Sequence, residues 1–191
     1  MYHFFALAAR MRMIGRWSLM NNHFPENVAE HTLMTAIFAH ALALISRDLN
    51  GDAAPDPNLC AAAALFHDAA EILTGDMPTP VKYFNQDISK AYHAVEEAGI
   101  EKLLSMLPEG LRREYRGLMV LEDGKVARFV AAADKLSAYV KCVEELRSGN
   151  AEFGDAARSA RKKLEDMDMP ELKTFFEDFI PSFSLTLDEL T

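Results

Sequence analysis

The chain has 191 residues, 50% of them hydrophobic, and its 20 basic and 29 acidic side chains give a net charge of −9. A single domain of this length can bury roughly 70% of the surface its unfolded chain exposes. The acidic balance disfavours a sequence-independent binder of nucleic-acid polymers, yet it leaves room for a small anionic substrate in a locally positive site.

No apolar run approaches the roughly 18 residues of a membrane span, and Leu59 to Phe66 is among the longest, so no membrane partner is expected. Cys60 and Cys142 stand far apart in apolar helical contexts, which reads as reduced core thiols and a cytoplasmic location rather than a disulfide framework. The first 25 residues carry Arg10, Arg12 and Arg16 without Asp or Glu, but they lack the serine richness and cleavage site of a targeting peptide.

In chain order, residues 3 to 13 place Phe4, Phe5, Leu7, Ala8 and Met11 at helical spacing, and Gly15 ends the segment. Arg16-Trp17 and the polar Asn21-Asn22-His23-Phe24-Pro25 follow as a connection. Asn27 is placed to cap a helix running through Val28, His31, Leu33, Ile37, Ala41, Leu44 and Ile45. After the turn-rich Asn50 to Pro57, one helix is predicted from Pro57 to Gly75, and the prolines of Asp76-Met77-Pro78-Thr79-Pro80 predict an extended wall.

Further helices are predicted over Gln86 to Leu107, Leu111 to Met119, Lys125 to Leu146 after a turn at Asp123-Gly124, Phe153 to Met167, and Glu171 to Phe179. No alternating run of useful length and no repeat is present, so the expectation is one all-α domain over residues 1–191, a helical bundle.

Three otherwise apolar helices carry ionisable groups: His31, the adjacent His67-Asp68 with Glu71 four residues later, and Asp134 within Phe129 to Leu136. Burying such groups costs several kcal/mol each unless they are paired or hold a metal. Each has a plain alternative: His31 as a satisfied core histidine, Asp134 paired with Lys135 or Arg128, His67-Asp68 as an ion pair at a helix surface. Their occurrence together favours ligands converging from facing helices.

The pattern resembles the HD-domain metal-dependent phosphohydrolases, with His31, His67, Asp68 and Asp134 at the four ligand positions. A closer resemblance is to the bacterial HD-domain 5'-deoxynucleotidases. It runs through His3-Phe4-Phe5-Ala6, Gly15-Arg16-Trp17, Glu26 to His31, His67 to Asp76, Pro78 to Phe84 and Pro181-Ser182-Phe183. The resemblance implies a helical HD fold, a homodimer, one divalent cation, and hydrolysis of deoxyribonucleoside 5'-monophosphates to nucleoside and phosphate. The competing readings are a phosphodiesterase acting on a cyclic or dinucleotide substrate, and a nucleotide-sensing module without turnover.

Two imidazoles and two carboxylates admit Mn, Fe, Co, Ni, Zn or Cu, and ligand type does not choose among them. Such an ion would acidify bound water and stabilise charge on phosphoryl oxygens. Glu71, at i+4 from His67, is expected to deprotonate that water or else to fix the His67 ring. Arg16 suits a two-bond clamp on phosphate. The resemblance implies that Trp17 excludes a 2'-hydroxyl. Asp76, Met77, Pro78 and Thr79 are expected to contact substrate, as are Asp68 and Asp134 from the metal side. His3, His23, His40 and His93 lack ligand-like company, and the apolar later helices are candidates for the dimer surface.

Overall fold

The computed structural model of the chain describes residues 1–82, 84–122 and 124–191. Tyr83, part of the resembling stretch, and Asp123, the expected turn, lie outside them. The fold is all-α, and among the described residues the one extended pairing is a single antiparallel bridge between Gly15 and Asn27.

Its axis is formed by α2 (Val28–Leu44), α3 (Pro57–Ala64) and α8 (Lys125–Arg147), which pack mutually. Alanines at 36, 39, 43, 63, 64, 132 and 133 are buried where these helices meet, so the backbones approach closely. Phe38, Leu42, Phe129 and Leu136 fill the remaining core, joined by Leu164 of α9 (Gly154–Glu165) and by Leu172 and Phe175 of α10 (Pro170–Asp178). On α8 the apolar stripe of Phe129, Val130, Ala133, Leu136 and Val140 is the buried one.

For α2 the expected stripe is displaced. Asn27 does cap it, accepting from the Glu30 amide while the Glu30 carboxylate accepts from the Asn27 amide, a reciprocal box. But the buried face is Val28, His31, Thr32, Thr35, Phe38 and Leu42, and Leu33 and Ile37 are 54% and 50% exposed. The helix is apolar on every side, so periodicity could not choose the face. Val28–Leu49 is also long and apolar enough by composition to cross a membrane, but 56% of that window is buried within the fold.

The predicted helix from Pro57 to Gly75 is broken. It stops at Ala64, passes through tight turns, and resumes as α4 (Glu71–Thr74). The amides of Phe66, His67, Ala69, Glu71 and Ile72 reach back three residues, as in Ala69 to Phe66 and Glu71 to Asp68, both 3.0 Å. The cause lies at Ala64, whose carbonyl accepts from the His67 ring at 2.7 Å instead of completing an α-helical bond to Asp68. A second cluster of Phe4, Ala69, Leu103, Leu104, Leu107 and Met119 supports the turn from behind.

Gly75 ends α4 at φ 74, a conformation that suits glycine. The expected extended run stops at Pro78, because Thr79 and Pro80 open α5 (Thr79–Lys82), where proline fits a first helical turn. The first predicted helix is α1 (Phe4–Ala8) continued by a 3-10 turn over Ala9–Met13, with Phe4 buried and Phe5 59% exposed. The helices α6 (Gln86–Ser105) and α7 (Glu109–Met119) agree with expectation, and α11 (Leu187–Leu190) closes the chain.

Candidate active site

The ionisable residues of the three axial helices meet. His31, in the first turn of α2, is wholly buried, with Nε2 3.0 Å from Asp134 Oδ1 and 3.6 Å from Asp68 Oδ2. The His67 Nε2 lies 3.1 Å from Asp68 Oδ2 and 3.8 Å from Asp134 Oδ1. One donor atom each from His31, His67 and Asp134 falls within 4.8 Å of the others. Asp134 therefore faces the histidines, while Lys135 turns back to the Ala131 carbonyl and Arg128 to those of Met167 and Asp168.

The far side of each ring sets its near side. His67 Nδ1 donates to Ala64 O, and His31 Nδ1 lies 3.2 Å from Ser137 Oγ, so both Nε2 atoms are directed at the carboxylates. His67 Nε2 is buried and makes no well-formed hydrogen bond. Burial opposes charge on His67, but Asp68 and Asp134 outweigh it and raise its pKa well above the ordinary value. Burial likewise works to raise Asp134, yet His31 and His67 bring it well below the usual carboxylate range. Two imidazole nitrogens and two carboxylates drawn together around an unpartnered buried nitrogen are a donor set that fits one divalent cation.

Beside this set is a cleft of about 460 Å³ lined by Arg16, Trp17, Asp68, Glu71, Asp76, Met77, Pro78, Thr79 and Asp134. Every sequence-predicted site residue other than His31 and His67 thus opens on one space. Arg16 donates through Nη1 to Asp68 at 3.4 Å and through Nε to Glu26 at 3.2 Å. Burial opposes its charge, and Asp68, Glu26, Asp134 and Asp76 outweigh it. Glu71 is 7% exposed with an unpartnered Oε2, and burial, reinforced by Asp68 and Asp76, pushes its pKa up to about 8. Burial raises Asp76 as well, against Arg16.

Trp17 adopts φ 57, uncommon for a bulky side chain, with its indole against Phe153 and its Nε1 bonded to Glu26 at 2.9 Å. The far wall is Ala138 of α8 with Ala156 and Ala160 of α9, and Lys82, Lys135 and Lys163 also border the cleft. A larger hollow of about 730 Å³ at Phe24, Arg147, Phe183 and Leu190 holds no converging set. The sequence reading missed Glu26, Ser137 and the Ala64 carbonyl as partners of site residues. Only Glu26 carried a signal, an acid a short polar loop away from Arg16.

Residues 3–183 match the family described as 5'-deoxynucleotidase YfbR-like. A 5'-deoxynucleotidase of Photobacterium profundum is 46% identical over 193 residues, spanning 99% of this chain and 98% of that protein. One of Shewanella oneidensis is 45% identical, spanning 100% of this chain and 98% of its own. Among solved structures, an HD-domain phosphohydrolase from Listeria innocua superimposes with a TM-score of 0.81 at 22% identity, over 95% of this chain and 88% of that one. The cyanophage S-2L HD phosphohydrolase, bound to dA and one catalytic Zn2+ ion, gives 0.66 at 21% identity, over 93% and 96% of the two chains. These two share the fold, and the curated relatives match along nearly their whole length. The chain belongs to the YfbR-like 5'-deoxynucleotidase family.

Proposed function

We propose that this chain hydrolyses 5'-deoxyribonucleoside monophosphates to deoxyribonucleoside and phosphate. The observation that carries the reading is the meeting of His31, His67, Asp68 and Asp134 at the edge of a cleft that Arg16 and Glu71 also enter. A divalent cation held by those four residues would supply an acidified water and charge stabilisation for the phosphoryl oxygens. Cobalt and manganese are among the ions that a mixed nitrogen and oxygen set accepts.

Arg16 grips the phosphate. Its Nε and one Nη1 hydrogen are fixed by Glu26 and Asp68, which leaves the second Nη1 hydrogen and both Nη2 hydrogens for the substrate. Glu71 takes the proton of the attacking water, a role suited to a carboxylate that lines the cleft with an unpartnered Oε2. The water oxygen bonds to phosphorus, the bond from phosphorus to the 5'-oxygen breaks, the departing oxygen takes a proton from solvent, and Glu71 returns to solvent the proton it took. Asp76 and Thr79 hold the sugar, Met77 and Pro78 wall it, and Trp17 crowds the position of a 2'-hydroxyl. Asp68 and Asp134 face the phosphate from the ligand side.

The whole chain acts as one cytoplasmic domain, supported by a core that draws on residues from Ala36 to Phe175 and by two buried free thiols. It works as a homodimer. The support is the outer face of α2, where Leu33 and Ile37 are half exposed, whereas Phe129, Val130, Leu136 and Val140 of α8 and Leu172 and Phe175 of α10 are used in the core. Size-exclusion chromatography of Leu33→Glu should give a monomer, and an unshifted dimer would move the interface elsewhere.

Phosphate release tests the activity. Deoxyribonucleoside monophosphates should yield free phosphate while cyclic nucleotides stay intact. Turnover of cyclic nucleotides alone would favour a phosphodiesterase, and no phosphate with any divalent ion would favour a sensing module.

A further inference from the structure

We propose that Glu26 is a positioning residue that holds Arg16 and Trp17 in one register, so that phosphate grip and sugar discrimination are set by a single carboxylate. The inference rests on the roles given above to those two residues.

The backbone brings the three together first. Arg16 N donates to Glu26 O at 2.9 Å, Val28 N donates to Ile14 O at 2.9 Å, and Gly15 pairs with Asn27. This short antiparallel tie closes the intervening loop and runs straight into α2, whose first turn carries His31. The loop is thereby referenced to the metal ligands. The side chain then completes the placement, because Glu26 Oε2 accepts from both Arg16 Nε at 3.2 Å and Trp17 Nε1 at 2.9 Å. Arg16 and Glu26 side chains are each 13% exposed, so water competes weakly for these bonds.

Trp17 needs such a hold. A non-glycine residue in the left-handed region costs on the order of 1–3 kcal/mol and persists only where its surroundings over-determine it. Here the determinants are the Phe153 ring at 5.3 Å, the bonds from Met20 N and Asn22 Nδ2 to the Trp17 carbonyl, and Glu26 on the indole. Of these, Glu26 is the one that bonds the indole Nε1. The same oxygen keeps the guanidinium plane from swinging away from Asp68. Phosphate and sugar are joined by one 5'-oxygen, so coupling their two receptors through one atom preserves the spacing the substrate requires.

Trp17 is the only tryptophan in the chain, which makes the proposal testable without turnover. Glu26→Ala should shift the intrinsic emission to the red. It should also raise KM for deoxyribonucleoside monophosphates about tenfold and cut the preference over ribonucleotides about tenfold, the scale of one charge-assisted bond each, with kcat within about threefold. Glu26→Gln retains an oxygen for the indole but no charge for Arg16, so it should keep the emission and the preference and raise KM alone. Unchanged emission and preference in Glu26→Ala would overturn the proposal, as would a uniform fall in kcat with the preference intact. A wild-type preference near one would instead refute the sugar-discrimination reading of Trp17, with the emission shift still judging Glu26.

Discussion

Glu145 is wholly buried in α8, and its carboxylate anchors the loop that follows Trp17. Oε2 accepts from His23 N at 2.9 Å and Asn150 Nδ2 at 2.7 Å, and Oε1 accepts from Phe24 N at 2.9 Å and from Lys141 Nζ. Lys141 donates in turn to Phe24 O. Burial works to raise the Glu145 pKa, but the bonds from Lys141, Phe24, His23 and Asn150 outweigh it and bring the value from an ordinary 4.5 down to about 2. A folded-state pKa below the unfolded one contributes stability above about 4.5, and that contribution is lost as pH falls towards 2.

Replacing Glu145 by Gln leaves the two donors on the amide side without that acceptor and leaves Lys141 without its counter-charge. Breaking a buried pair costs about 3–5 kcal/mol. Because Lys141 keeps the Phe24 carbonyl, we expect the lower end, about 3 kcal/mol, a large share of the roughly 5–15 kcal/mol that holds a domain folded. Urea unfolding at pH 7 measures the loss, and repetition between pH 4.5 and 3 should show wild type and variant converging. A loss under about 1 kcal/mol at pH 7, or an equal loss at pH 3, would refute the reasoning.

Other outcomes follow from the same structure. Glu71→Gln should lower kcat by about 10²–10⁴ with metal content unchanged, as for loss of a general base, and a twofold loss in stopped-assay phosphate release would return Glu71 to ring positioning. Arg16→Lys keeps the charge but not the planar fork, so steady-state kinetics should show KM rising about tenfold; an unchanged KM would remove Arg16 from the phosphate. Asn27→Ala breaks the capping box of α2 and should cost about 1 kcal/mol. For a chain of this size that is a Tm lower by about 2–4 °C, and an unmoved melting curve would show that the box contributes nothing.

The four ligand candidates were legible because apolar helices rarely carry such groups. Asp134 stands out against Phe129, Val130 and Ala133, whose stripe the fold buries as read. The turn at His67 was not legible. Ala61 to Ala70 has unbroken helix propensity, and the break comes from a ring nitrogen taking a carbonyl three residues back. Nor could the pattern choose a face for α2, apolar on all sides, and Leu33 and Ile37, two members of its apolar run, lie outward.

Partners distant in sequence were invisible for a different reason. Ser137 meets His31 across 106 positions, and nothing local marks it. Lys141 and Glu145 have the i, i+4 form of a solvated helix pair, yet the fold places both in the interior.

The most direct test of the central claim joins metal content to turnover. Protein stripped of metal and resupplied with single divalent ions should bind one per chain and release phosphate from deoxyribonucleoside monophosphates only when loaded. Asp68→Ala should retain neither the ion nor the activity. Phosphate release at the full rate by the stripped protein, or by Asp68→Ala, would contradict the account.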